Sequence, residues 1–195
     1  MFRRSLSSVV SFLGRKYPRL QELGVWKVMV QAHWTDIEYF DESWRQRVNQ
    51  MAGFIPANAT VMDLGCGKGW LSEIVGSENY TGVDYRPRRE NTIVYDFNKR
   101  QFPDLRSDVA FVSGCLEYVT DYRWFVAQIC EKMKLCILSY CPLETHRDLV
   151  ARRRVGWVND LTIDEIKREF GKHRFNLSAE TVTPTQNVIL VFKRG

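Results

Sequence analysis

The chain has 195 residues, 45% of them hydrophobic and 26% charged, which is the balance of a folded globular domain and excludes a disordered segment. No apolar run reaches the roughly 20 residues that a membrane-crossing helix needs. The net charge of +5 is unevenly placed: residues 1–20 hold Arg3, Arg4, Arg15, Lys16 and Arg19 and no acid, so the rest of the chain is neutral overall and no nucleic-acid partner is expected for the folded part.

The first predicted element is an amphipathic helix over 1–14, with Phe2, Leu6, Val9, Val10 and Leu13 on one face and Arg3, Arg4, Ser7, Ser8 and Ser11 opposite. Three readings of it stay open: a helix docked on the domain or a partner, a peripheral membrane anchor, and an Arg- and Ser-rich targeting peptide. Residues 1–42 form this N-terminal segment, with an aromatic stretch over 34–40 as a candidate lid, and residues 43–195 form one domain.

A helix over 43–52 follows, with Ser43 and Gln46 as a capping box, Trp44, Val48 and Met51 on one face, and Gly53 as its stop. Next come a strand over 60–64, a helix over 68–75, and strands over 80–83, 92–95 and 108–112. A helix over 122–133 turns Val126, Ile129, Cys130 and Met133 inward and leads to a strand over 136–140. The helix over 161–172 has a Thr162–Glu165 capping box and ends at Gly171. Strands over 175–182 and 188–192, turning near Pro184, close the chain. This alternation predicts an α/β fold: a Rossmann-like, doubly wound, mostly parallel seven-stranded sheet whose antiparallel last strand lies at the edge, preceded by N-terminal helices.

Five cysteines (Cys66, Cys115, Cys130, Cys136 and Cys141) include no C-x-x-C pair and sit in apolar stretches, as reduced thiols of a cytoplasmic protein would. His33, His146 and His173 are too scattered for a metal site, and none is expected.

The chemistry concentrates in Val61-Met-Asp-Leu-Gly-Cys-Gly-Lys-Gly69, which ends a strand and opens a helix. Gly65 and Gly67 permit a tight turn whose backbone approaches a ligand closely. A dinucleotide loop needs G-x-G-x-x-G. Here the third glycine, Gly69, comes one place early, and Trp70 stands where that loop wants a small residue. Asp63 would repel a pyrophosphate but attract the α-ammonium and sulfonium of S-adenosylmethionine.

This run resembles motif I of class I S-adenosylmethionine-dependent methyltransferases. Tyr80-Thr-Gly-Val-Asp-Tyr85 resembles motif II, with Asp84 nineteen residues beyond Gly65. Val94-Tyr-Asp-Phe97 resembles motif III, and Ser107–Val119 resembles the fourth motif, a variant of "LEHV". The resemblance implies that Asp63, Gly65, Cys66 and Gly67 hold the methionine part of the cofactor. It further implies that Asp84 accepts the ribose hydroxyls, Tyr85 lies along the adenine, and Asp96 and Phe97 accept and pack its ring. Ser113 and Gly114 would then lie under the sulfonium.

The chain lacks the [D/N]-P-P-[Y/F] signature of amine and amide methylation, and Ser113-Gly-Cys115 stands in its place. Its pattern is most similar to the ubiquinone-biosynthesis and MetW-like kind, including enzymes that decorate glycans. A small-molecule or glycan acceptor, with S-adenosylmethionine as cofactor, is the leading expectation. The alternatives are a protein or RNA methyltransferase and a non-catalytic cofactor-binding domain. Acceptor-side candidates are Tyr118, Tyr140, His146 as a general base, and Trp157. Arg152, with Arg153 and Arg154, is expected to clamp an anionic acceptor.

Overall fold

A computed structural model describes residues 40–195, beginning at Phe40 just ahead of helix α1 (Glu42–Ala52). The helix expected over 1–14, and the expected lid up to residue 39, lie outside the described residues. The cap of α1 is not the predicted Ser43. Asp41 precedes the helix, and its Oδ1 accepts the Ser43 N–H at 2.8 Å, because a carboxylate is favoured at the positive end of the helix dipole. Gly53 follows with an ordinary right-handed φ of −61°, so no left-handed cap forms there.

Seven strands form one sheet: β1 (Val61–Leu64), β2 (Tyr80–Asp84), β3 (Ile93–Val94), β4 (Val109–Ser113), β5 (Leu135–Tyr140), β6 (Phe175–Val182) and β7 (Val188–Arg194). Their order is β3-β2-β1-β4-β5-β7-β6. The first five strands pair in parallel, and β7 runs antiparallel to both β5 and β6. The antiparallel strand is therefore inside the sheet, and β6 takes the edge. The core explains why: Val188–Phe192 is a continuous apolar run, buried throughout, whereas β6 alternates and leaves much of its length exposed.

Strand residues alternate between two cores. On one face Met62, Leu64, Ala110, Val112, Leu138 and Leu190 pack against α3 (Tyr122–Lys132) and α5 (Ile163–Lys172). On the other, Val61, Val109, Phe111, Ile137 and Ile189 pack against Val48 and Met51 of α1. Each fully buried aliphatic or aromatic side chain contributes about 1.5–3 kcal/mol, so covering both faces fixes the register of the short central strands.

Three further expectations are corrected. The helix over 68–75 is cut to α2 (Ser72–Val75), because Gly67 and Gly69 adopt φ of +50° and +66°, which no right-handed helix accepts. The Thr162–Glu165 box forms in both directions, but α5 runs through Gly171, and the left-handed turn falls at Arg174. A helix not expected, α4 (Leu149–Arg154), starts where Asp148 Oδ1 accepts the N–H groups of Val150 and Ala151.

Candidate active site

The strand order reverses between β1 and β4, so the loops leaving their carboxyl ends diverge and open a crevice. A cavity of about 350 Å³ lies there, within the usual range for an organic ligand. The loop after β1 forms its floor. The Gly65 and Cys66 N–H groups both donate to the Val83 carbonyl, at 2.8 and 3.0 Å, which folds the loop back over β2. Gly65 has φ of +79°, and a Cβ on it would lie 2.6 Å from the Cys115 Sγ. A Cβ on Gly67 would lie 2.6 Å from the Phe40 ring. Neither position admits a side chain without displacing a wall of the cavity.

Two carboxylates flank this loop. Asp63 is 4% exposed, and among the described residues its carboxylate has one hydrogen bond, from the Tyr80 hydroxyl to Oδ2 at 3.0 Å. Burial, reinforced by Asp84, pushes its pKa up to about 7. Asp84 is 5% exposed and more fully engaged. Its Oδ2 accepts the Gly67 N–H at 3.0 Å, while Oδ1 accepts from the Arg86 N–H at 3.3 Å and Arg88 Nε at 3.1 Å. Asp84 thus ties the glycine loop to β2. Arg88, which sequence reasoning missed, lies across this carboxylate, 5.3 Å from the centre of the Tyr85 ring and 5.4 Å from that of Phe40.

Asp96, Phe97 and Asn98 close the cavity on the β3 side. Asp96 caps a short 3₁₀ turn, Phe97–Lys99, by accepting the Asn98 N–H at 2.9 Å. Phe97 is buried at 7% exposure, with its ring 4.8 Å from that of Phe125, so it belongs to the core as well as to the cavity wall. Ser113 and Gly114 line the cavity at the end of β4, where Ser139 Oγ accepts the Gly114 N–H at 2.9 Å. All ten residues expected at the cofactor, from Asp63 to Gly114, therefore border one cavity.

On the acceptor side the structure divides the candidates. Tyr118 and Trp157 line the cavity. Tyr140, His146 and Arg152 do not line it. Tyr140 is fully buried, its hydroxyl donating to Asn159 at 2.6 Å and accepting from the Leu161 N–H and Arg152. Arg152 is 1% exposed and donates to Asp160, the carbonyls of Cys141 and Asn159, and Tyr140, which uses up its fork inside the protein. Arg153 is paired with Asp160 and the Trp157 carbonyl, and Arg154 is exposed on α4. The expected arginine clamp is thus a structural brace, because Asp160 and the surrounding carbonyls compete successfully for those guanidiniums. His146 sits against the outer side of Trp157 at 5.8 Å, its Nδ1 2.9 Å from Thr145 Oγ1, and burial with the nearby Arg152 charge lowers its pKa.

The sequence reading also missed Trp44, Arg47, Glu117, Cys141 and Asn187, which line the same cavity. One signal was available: Arg47 falls three residues after Trp44 and just before Val48, on the inward face of α1, where a charge is out of place. Among the described residues no cluster of His, Cys, Asp or Glu is suited to a metal ion, and no helix is long and apolar enough to cross a membrane.

A family model described as a methyltransferase domain matches residues 36–179. No curated protein matches the sequence. Among solved structures, CalO1, a methyltransferase of calicheamicin biosynthesis in its SAH-bound form, is 18% identical with a TM-score of 0.60, covering 78% of this chain and 54% of that one. The chain thus spans about half the length of that protein. The 1,6-didemethyltoxoflavin-N1-methyltransferase of Burkholderia thailandensis is 15% identical with a TM-score of 0.60, covering 100% of this chain and 92% of that one. The magnesium protoporphyrin IX methyltransferase of Synechocystis PCC 6803 is 19% identical with a TM-score of 0.59, covering 77% of this chain and 83% of that one. These likenesses establish a shared fold.

Proposed function

This chain belongs to the methyltransferase-domain family, and we propose that its cavity holds S-adenosylmethionine and presents the methyl group to a small-molecule or glycan acceptor. The observation that carries this reading is Asp63, a buried carboxylate with a single hydrogen bond, set beside the glycine loop at the strand reversal. Such a group is unfavourable alone and favourable beside a cation. The α-ammonium and sulfonium supply that cation, whereas a pyrophosphate would be repelled. Asp84 and Tyr85 fit the ribose and one face of the adenine, and Asp96 and Phe97 fit the far edge of the ring. The cofactor is already an activated methyl donor, so the protein's own contribution is alignment of the acceptor and removal of its proton.

The small-molecule side of the proposal is supported by an aromatic-walled cavity of organic-ligand size and by the neutral balance of the chain after residue 20. The similarity of Ser113–Val119 to "LEHV" supports a place beside ubiquinone-biosynthesis and MetW-like enzymes. The structural neighbours named above carry toxoflavin and porphyrin acceptors in their names, which agrees with a compact organic substrate. A cytoplasmic location with peripheral attachment through residues 1–14 completes the reading, supported by the basic, amphipathic character of that segment. Comparing the intact chain with one lacking residues 1–14 in sedimentation with anionic vesicles tests the attachment.

Isothermal calorimetry tests the central claim. S-adenosylmethionine and S-adenosylhomocysteine should bind with micromolar-range affinity, and NAD should give no heat. Binding of NAD with no response to either sulfur compound would overturn it.

A further inference from the structure

The cavity has a second polar end that the cofactor reading leaves unused. It lies over the carboxyl ends of β4 and β5 and the start of β7, across the strand reversal from Asp84. Arg47 reaches into it from α1. Its Nε donates to Ser113 Oγ at 3.1 Å and its Nη1 to Asn187 Oδ1 at 3.0 Å, both neutral groups. Among the described residues no carboxylate is in ion-pair contact with it, although the Glu117 charge attracts it from across the cavity, and its Nη2 has no hydrogen-bond partner; burial lowers its pKa. Only the missing side chain of Gly114 makes room for that nitrogen, since a Cβ there would lie 2.7 Å from Nη2.

Glu117 borders the same end. It is 1% exposed, and its Oε1 accepts the Cys141 N–H at 3.0 Å. Its Oε2 is the single buried side-chain oxygen or nitrogen without a hydrogen-bond partner among the described residues. Buried polar atoms are almost always paired, so a cation with an unbonded Nη2 and a carboxylate with an orphaned oxygen, both on residues lining one cavity, mark places that a ligand fills. Trp44, Tyr118 and Trp157 supply flat walls around them.

We propose that this end is the acceptor subsite and takes a small planar hydroxy acid, whose anionic oxygen is held by Arg47 and whose hydroxyl donates to Glu117. The proposal rests on the cofactor reading above. A second cation near the sulfonium is repulsive unless anions lie around it; Glu117 supplies one, and a carboxylate-bearing acceptor adds the one that Arg47 can grip directly. A guanidinium with free N–H groups binds such an oxygen pair in a fork. In the transfer, the C–O bond forms as the C–S bond breaks, and the C–S electron pair stays on sulfur. The hydroxyl proton passes to Glu117 Oε2.

The test uses the whole chain saturated with S-adenosylhomocysteine and titrated with 2-, 3- and 4-hydroxybenzoate, benzoate and the neutral hydroxybenzamides. At least one hydroxybenzoate should bind tenfold or more tightly than both benzoate and its amide. Arg47→Met should erase the preference for acid over amide, and Arg47→Lys should restore part of it. Glu117→Gln, which keeps an acceptor for the Cys141 N–H, should reduce the preference for the hydroxylated ring. Normal binding of S-adenosylhomocysteine with no discrimination among the probes overturns the subsite alone. So does an Arg47→Met variant that loses S-adenosylhomocysteine affinity while its probe affinities stay unchanged, since Arg47 would then hold the cofactor's own carboxylate. Failure of the wild-type chain to bind S-adenosylhomocysteine overturns the cofactor reading as well.

Discussion

Replacing Asp63 by Asn removes a charge while keeping the shape and the Tyr80 hydrogen bond, and its consequence can be worked out with sign. Asp63 titrates near pH 7 in the folded protein and near 4 when unfolded, a difference equivalent to about 4 kcal/mol. Because the folded pKa is the higher one, the folded state binds the extra proton. The stability this group contributes is therefore complete below about pH 4 and is lost as pH rises through 7. Above pH 7.5 the ionised carboxylate is a penalty of about 4 kcal/mol that Asp63→Asn relieves, so the variant should melt at higher temperature than wild type at pH 8 and equally at pH 4. Cofactor binding runs the other way. The ammonium prefers the ionised form, so S-adenosylhomocysteine should bind wild type about tenfold more weakly at pH 6 than above pH 7.5, with proton release at pH 6. Asp63→Asn should bind weakly at every pH in that range with no proton release. Calorimetry in two buffers of different ionisation enthalpy measures both. A wild-type affinity that is flat from pH 6 to 7.5, or equal proton release by the variant, would refute the assignment of the charge to Asp63.

Asp84→Ala should cost about 1–3 kcal/mol of stability by orphaning the buried Gly67 N–H, and should raise the S-adenosylhomocysteine dissociation constant at least tenfold; unchanged melting and affinity would show that the loop holds itself. Arg152→Ala should destabilise the fold by about 3–5 kcal/mol in denaturant titration while the folded fraction keeps its cofactor affinity, and a normal denaturation midpoint would return Arg152 to the list of acceptor ligands. Prolonged incubation with S-adenosylmethionine at pH 7.5 should leave every cysteine unmodified by intact mass spectrometry, and a methylated Cys66 or Cys115 would contradict the protonation argued below.

The parallel part of the fold was legible because its strands are short apolar runs separated by glycine turns, and burial on both faces leaves such runs no other use. The cofactor wall was legible for a related reason: Asp63 lies one residue before the end of β1, Asp84 ends β2 and Asp96 follows β3 by two residues, so chain order alone places them along one crevice. The acceptor wall was not. Arg152 and Arg47 are both arginines on helices near the same carboxyl ends, and only the positions of Asp160 and the Cys141 and Asn159 carbonyls decide that one is saturated while the other keeps an unbonded Nη2 toward the cavity. Those partners are contributed by loops, whose conformation no periodicity specifies. The place of β7 inside the sheet was illegible locally as well. It follows from the greater apolarity of Val188–Phe192 than of Phe175–Val182, a comparison between strands and not a property of either.

Three cysteines, Cys66, Cys115 and Cys141, border a cavity assigned here to a methylating agent, and thiolates attack sulfonium methyl groups readily. Their surroundings keep them silent. Burial is the main reason that each thiol is pushed well above its ordinary range. Nearby carboxylates reinforce this: Asp63 and Asp84 for Cys66, Asp84 and Glu117 for Cys115, and Glu117 for Cys141. The carboxylates that attract the cationic cofactor therefore also hold the adjacent thiols in the protonated, unreactive form. The nucleophile must come from outside, and the buried groups able to take up its proton are these carboxylates rather than the sulfurs. Of the two at the acceptor end, Glu117 retains an unpaired oxygen, while Cys141 Sγ is engaged with Asn187 Oδ1 at 3.1 Å. One distribution of negative charge therefore both draws in the methyl donor and directs its reactivity away from the protein's own sulfur.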